Sequence, residues 1–271
     1  MLKKISVLGG LDKDRRKESI NRLDINAGEV LAVAGPTGSG KTQLISDIEQ
    51  YADGETPTGR EILINDLTVE EYTRDGISRG LVAEVSQKMN FVMDSSVEKF
   101  LSRHAKVRSI ETPEKKIAEV LRVTNELAGE PVYPADNLTM LSGGQARALM
   151  VGDVALISNA PVVLIDEIEN AGIDRLRAME ILKGQGKIVL LVTHDPALML
   201  MSDQRVIMKN GGMYRLQQTT PAEKDIMKQL VAFEKDISRL RDYIRRGESI
   251  KHHNILKEII SNGKNFITLS A

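Results

Sequence analysis

Residues 35–42 read Gly-Pro-Thr-Gly-Ser-Gly-Lys-Thr, the pattern G-x-x-x-x-G-K-[ST], set between an apolar run, EVLAVAG, and an amphipathic one, KTQLISDIEQ. The chemistry this spacing permits is phosphate binding. Gly35, Gly38 and Gly40 let consecutive backbone N–H groups turn inward where side chains would obstruct, and Pro36, Thr37 and Ser39 complete the loop. Lys41 is placed to reach the β- and γ-phosphates of a nucleoside triphosphate, and Thr42 to offer a hydroxyl to Mg²⁺. The helix that follows adds the positive end of its dipole. A glycine-rich turn that binds nothing would not explain the agreement between motif and flanking elements. A second run, NAPVVLIDE, delivers Asp166 and Glu167 at the end of an apolar strand, where ligands sit in open α/β sheets. Asp166 would hold Mg²⁺ through water and Glu167 would polarise an attacking water. An apolar run ending in Asp-Glu is common, and it gains force from the phosphate loop. A third stretch, TMLSGGQARALMVGDVALI, sets a Ser-Gly-Gly run before an apolar helical pattern and looks built to hold another anion.

The elements that must position these residues follow from periodicity. The first 80 residues read as short strands with polar turns, including EVLAVAG and EILIN. VLAVA hardly alternates, as expected of a strand buried on both faces of a parallel-type sheet. From residue 95 to about residue 122 the pattern turns helical, then NAPVVLIDE and GKIVLLVTHD return as strands around a helical stretch, IDRLRAMEILKGQG. Strands separated by helices predict an α/β core. After Pro221 the strand signals stop. Ile226, Leu230, Phe233, Ile237, Leu240 and Ile244 recur at spacings of four and three, a heptad stripe on one helix, and NILKEIISNG suggests a second. The stripe suits either an amphipathic helix packed on its own domain or a dimerisation or docking arm.

Composition narrows the function classes. The 271 residues include 41% hydrophobic and 28% charged, an ordinary globular balance, with a net charge of -1 that argues against a nucleic-acid partner. The absence of cysteine removes disulfides, thiolate metal sites and a cysteine nucleophile, and fits a cytoplasmic home. The N-terminal segment lacks the apolar core of a signal peptide, and no apolar run approaches the roughly 18 residues that cross a bilayer. Membrane association would therefore be peripheral, through another chain.

The order phosphate loop, Gln87, Leu141-Ser142-Gly143-Gly144-Gln145, Asp166-Glu167, His194 resembles the ATP-binding-cassette (ABC) ATPases over roughly residues 1–215. The resemblance implies a phosphate-loop NTPase core of ABC type, with a small antiparallel β part, in a domain spanning residues 1–220. It also implies an inserted helical subdomain at about residues 94–157, and leaves residues 221–271 as a C-terminal helical extension. It implies ATP and Mg²⁺ as ligands. Gln87 in EVSQKMNF matches the glutamine that touches Mg²⁺ and the attacking water, Glu167 the catalytic glutamate, and His194 the histidine that contacts the γ-phosphate. ENAGID stands at the loop following that glutamate. In this family two such domains pack head to tail, so Ser142, Gly143, Gly144 and Gln145 would complete the site of an ATP seated on a second copy or a homologous ATPase subunit.

Four departures stand beside the match. Residues 1–29 contain no Phe, Tyr, Trp or His to stack on adenine, which leaves Arg15, Arg16 or an aliphatic contact and leaves ATP against GTP open. Ile168 follows the glutamate where transporter subunits carry Pro, Gly172 lengthens the next loop by one residue, and Arg147 stands where a Gln-Arg pair is usual. Met89, Phe91 and Met93 would either receive a helix of a membrane-spanning subunit or fill the helical subdomain's own core. His104 lies in a helical charge pattern and reads as a solvated face; the pair His252-His253 lacks the third ligand a metal needs. The leading reading is the ATPase subunit of an ABC transporter, taken on family frequency rather than on any one residue. The alternative is a soluble ABC ATPase driving conformational work on a protein partner. A DNA-repair role is disfavoured by the near-neutral charge, and a simple phosphotransferase would leave LSGGQ without a purpose.

Overall fold

The computed structural model describes residues 2–73, 80–86, 89–166, 168 and 172–247. Gln87 and Glu167, the His252-His253 pair and the expected second C-terminal helix lie outside the described residues. The chain divides into two units, Met1–Gln218 and Thr219–Ala271.

Within the first unit two sheets share a core. The antiparallel sheet has the order β2-β1-β4-β5, from β1 (Lys4–Leu8), β2 (Arg22–Asn26), β4 (Glu61–Ile64) and β5 (Leu67–Thr68). β2 and β4 alternate between buried and more exposed residues, the pattern of strands with one face on a core. The six-stranded sheet has the order β10-β9-β3-β8-β7-β6. It is built from β3 (Val30–Ala34), β6 (Val82–Ser86), β7 (Val162–Asp166), β8 (Ile188–Val192), β9 (Gln204–Lys209) and β10 (Gly212–Gln218). Its neighbours pair in parallel except β10 on β9.

Every residue of β3 and β8 is buried, which explains why their sequences do not alternate. Ile188, Leu190 and Val192 pack with the antiparallel sheet, α1 (Lys41–Glu49) and α2 (Val69–Thr73), while Val189 and Leu191 pack with helices on the other face. Those helices are α4 (Pro113–Leu127), α5 (Gly143–Leu156) and α6 (Arg175–Gly184). α3 (Val97–Val107), α4 and α5 also form a separate cluster around Leu101, Val120 and Leu149, between β6 and β7 in the chain. Phe91 joins that cluster by meeting Phe100 edge-on at 5.1 Å, whereas Met89, Val92 and Met93 are exposed. His104 corrects the expectation of a solvated face. Its ring lies 4.2 Å from that of Phe100, and its Nδ1 is 3.0 Å from the Asp153 carboxylate of α5. The charge pattern of α3 misled because one of its polar positions faces the neighbouring helix.

In the second unit α8 (Pro221–Arg245) begins with a capping box, in which Thr220 and Glu223 satisfy each other's backbone N–H. Its exposed side carries i,i+3 ion pairs such as Lys228 with Asp225. Ile226 and Ile244 of the heptad stripe are 44% and 56% exposed.

Candidate functional site

Four of the parallel strands end side by side, and in the chain each runs into one of the segments that carry the expected site residues. In register, Ser86 sits opposite Asp166, Asp166 opposite Val192, and Val192 opposite Val33. The chain leaves β3 into the phosphate loop, β6 into the segment holding Gln87, β7 at Asp166 into Glu167, and β8 toward His194. These carboxyl ends frame a cavity of about 710 Å³ lined by Thr37, Gly38, Lys41, Thr42, Asp166 and His194, with Ser86 also at its wall. Residues spread over more than half the sequence therefore share one opening, the position open α/β sheets reserve for ligands.

The loop itself carries the strain that its glycines permit. Gly38 and Gly40 have φ of 77° and 100°, in the region only glycine enters cheaply. A Cβ on Gly40 would also lie 2.7 Å from the Cα of Gly211, so the loop is packed against the turn between β9 and β10. α1 starts at Lys41 with no side-chain cap, which leaves its first-turn N–H groups to whatever occupies the cavity. Lys41 Nζ donates to the carbonyls of Gly35 at 2.7 Å and Pro36 at 3.2 Å, curled over the loop. This donor set fits phosphate. Thr42 and Asp166 offer an oxygen-only pair in the same cavity, which suits Mg²⁺, an ion that leaves most of its shell to phosphate and water. Among the described residues no group of three His, Cys, Asp or Glu forms a closed metal cage. Burial, with Glu84 and Asp166 nearby, raises the Glu49 carboxyl above its usual range and marks this edge of the sheet as negative.

The residue that follows His194 is tied to two neighbouring elements. Asp195 caps α7 (Pro196–Met201), accepting from Ala197 N at 2.7 Å and Leu198 N at 3.1 Å, and pairs with Arg175 at 2.6 Å. Arg175 opens α6, so the loop after β7 and the loop after β8 are tied together beside the cavity. Ser142, Gly143, Gly144 and Gln145 do not line that cavity; they form the N-terminus of α5. Ser142 Oγ accepts from Gln145 N and the Gln145 side chain accepts from Ser142 N, a capping box that leaves the serine O–H proton and the glycine N–H groups to serve an anion. A Cβ on Gly143 would lie 2.6 Å from Arg147 Nη1, so this arginine folds back onto the motif.

Sequence reasoning missed Lys13, which reaches the loop from the connection between β1 and β2 and donates to the Gly38 carbonyl at 2.7 Å. No local pattern marks a lysine 22 residues before the loop. It missed Gln43 and Ser46 on the cavity wall, and the ion pair of Arg175. A second cavity of about 310 Å³ adjoins the first, between Leu11, Arg15, Gln43, Pro57 and Gly211. Arg15 holds φ of 61°, an uncommon conformation outside glycine, and its Nη1 lies 3.4 Å from the Pro57 carbonyl.

A family model for the ABC transporter matches residues 20–170. The chain belongs to this family. It is an ATP-binding protein and ATPase of the ABC type. An uncharacterized ABC transporter ATP-binding protein of Methanocaldococcus jannaschii is 48% identical over 255 residues, 94% of this chain and 97% of its own length. The spermidine/putrescine import ATP-binding protein PotA of Bacillus cereus is 30% identical over 210 residues, of which this chain spans 60% of the length. Of the Escherichia coli glutathione/L-cysteine transport system ATP-binding/permease protein CydC, 29% identical over 211 residues, it spans 35%. Among solved structures, cbiO1 from Clostridium perfringens, part of the ABC transporter complex cbiONQ, gives a TM-score of 0.60 at 22% identity, covering 89% of this chain and 97% of its own. A dimeric ATP-binding cassette in a post-hydrolysis state bound to ADP and Pi gives 0.57 at 21%, covering 80% and 99%. At those identities the two structures speak to the ABC ATPase fold alone. Among the described residues no helix is long and apolar enough to cross a membrane.

Proposed function

We propose that this ABC ATPase works as a head-to-tail pair, with a second copy or a homologous subunit, and couples ATP hydrolysis to a membrane-spanning partner. The observation that carries the reading is the split between two anion sites. The phosphate loop, Asp166 and His194 share a cavity, while the α5 N-terminus opens elsewhere on the same chain. One chain thus offers a phosphate cradle and, separately, the uncapped glycine N–H groups that a second chain's phosphate would need.

In this reading the N–H groups of residues 37–42 and Lys41 hold the β- and γ-phosphates. Lys41 must uncurl from the Gly35 and Pro36 carbonyls to do so. Thr42, Gln87 and Asp166 are the groups that would hold Mg²⁺, which when bound neutralises phosphate charge. Glu167 orients the attacking water and takes its proton, and His194 contacts the γ-phosphate from the end of β8. Ser142, Gly143 and Gly144 of the opposing chain close the other side, with Gln145 fixing the serine. The base lies in the adjoining cavity, where the planar Arg15 guanidinium supplies the stacking surface that residues 1–29 lack in aromatic form. Loss of the γ-phosphate removes the charge that holds the pair together, so hydrolysis opens it.

Exposed Met89, Val92 and Met93 favour a docking surface for a helix of the partner, with the ATPase peripheral at the cytoplasmic face. The second reading, a soluble ATPase acting on a protein client, is favoured by Gly172, whose φ of 72° belongs to the lengthened loop, and by Ile168 in place of Pro. No nucleic-acid partner is expected from the charge. The test of the pair is gel filtration of Glu167→Gln, which retains ATP: it should elute as a dimer with ATP and a monomer without, and a persistent monomer sinks the head-to-tail reading. Affinity capture from membranes then separates the two partners, an integral membrane protein supporting transport and a soluble one the alternative.

A further inference from the structure

Behind the phosphate loop lies a charge cluster with no counterpart in the sequence motifs. Arg60 is fully buried, and so, nearly, are Glu18 and Asp47. Arg60 Nη1 donates to Asp47 at 2.8 Å, while Nη2 and Nε donate to Glu18 at 2.5 and 3.3 Å. The second Nη2 hydrogen goes to the Gly211 carbonyl at 2.8 Å. The carboxylates are saturated from other directions: Glu18 takes the N–H groups of Gly10 and Met213, and Asp47 takes Thr58 Oγ1 and Gln43 Nε2.

One of these partners touches the phosphate loop directly, and another stands on the helix that continues it. Gly211, whose carbonyl Arg60 grips, donates its own N–H to the Ser39 carbonyl at 2.8 Å and backs Gly40 too closely to admit a Cβ. Asp47 stands on α1, the helix that begins where the loop ends, and orients Gln43 on the cavity wall. One guanidinium therefore fixes the loop from behind and from below. Stability alone is a poor reason for such a cluster, because apolar side chains of similar volume fill a core as well as or better than buried ion pairs. A planar fork with five donors is suited to something else, holding three backbone segments at fixed separations.

We propose that Arg60 is a positioning residue that holds the phosphate loop in nucleotide-binding geometry before the nucleotide arrives. The inference rests on the phosphate loop being the nucleotide site, and the experiment separates the two. Calorimetry with MgADP on the parent and on Lys41→Ala tests the site: no binding by the parent defeats that reading and leaves Arg60 nothing to position. The proposal is then tested with Arg60→Lys, which keeps the charge but cannot reach Glu18, Asp47 and Gly211 together, and with the charge-free triple Glu18→Gln, Asp47→Asn, Arg60→Met. Expected is a melting temperature for the triple close to the parent's, with MgADP bound about 10-fold more weakly by both variants, since a misplacement of an ångström costs that much or more. In turnover the KM for ATP should rise far more than kcat falls. Parental affinity in either folded variant overturns the proposal, and so does failure of both to fold, which makes the cluster a stability element.

Discussion

Lys187 lies in the turn before β8, buried, with its Nζ donating at 2.7 Å to the carbonyls of Ser158 and Ala160 just past the end of α5. It fastens the helix that opens with Ser142–Gln145 to the strand that ends near His194. Burial, helped by the Arg108 charge, lowers its pKa from the ordinary 10.5 to about 8. The folded chain therefore releases this proton about 2.5 pH units before the unfolded chain does. Below pH 8 both states are protonated and the native state carries the full cost of a buried cation, about 3 kcal/mol at 1.4 kcal/mol per unit. Between pH 8 and 10.5 the unfolded chain binds more protons, so stability rises with pH; above 10.5 both states are neutral and the cost is gone. The measurement is urea unfolding of the parent and of Lys187→Met from about pH 7 to about pH 10. The methionine leaves two carbonyls unbonded, a cost that does not titrate, so the difference between the proteins isolates the lysine. The parent should gain about 2.5 kcal/mol on the variant across that range, most of it above pH 8. A difference that stays flat would mean that the two carbonyls stabilise the ammonium as much as burial opposes it, and would refute the argument.

Two further outcomes follow from the site. Arg15→Ala should raise the KM for ATP by roughly 5- to 30-fold with little change in kcat, the worth of one stacked base, as measured by steady-state turnover; an unchanged KM places the base elsewhere. Gly40→Ala should bind no MgADP by calorimetry, because its φ of 100° and the 2.7 Å approach to Gly211 leave a methyl group nowhere to go without moving the loop.

Much of the architecture was legible in the chain. VLAVA and IVLLV read as strands buried on both faces and are so, because burial on two sides removes the need to alternate. KTQLISDIEQ and IDRLRAMEILKGQG read as helices, and α1 and α6 lie within them. His104 was misread because a helical charge pattern does not say which polar position a neighbouring helix covers. Met89, Phe91 and Met93 were ambiguous in sequence and divide in the structure, the phenylalanine inward and the methionines outward.

The sequence by itself determined the chemistry, since a glycine loop ending in Lys-Thr and an apolar strand ending in Asp-Glu have few other uses at those spacings. Local residue order suffices there because adjacent N–H groups make the cradle. Which distant residues join that chemistry was decided only by the sheet. The order β3-β8-β7-β6 sets Val33, Val192, Asp166 and Ser86 in one row, so segments far apart in the chain open on one cavity. Lys13 and Arg60 carry no signal of their own: Lys13 donates to Gly38 in the phosphate loop, and Arg60 acts through Gly211 of the β9–β10 turn, which is packed against that loop. The Ser142 motif illustrates both halves: its residue types suggest an anion site, and only the structure places it at the head of α5, off the cavity its own chain builds, as the proposed head-to-tail pair requires.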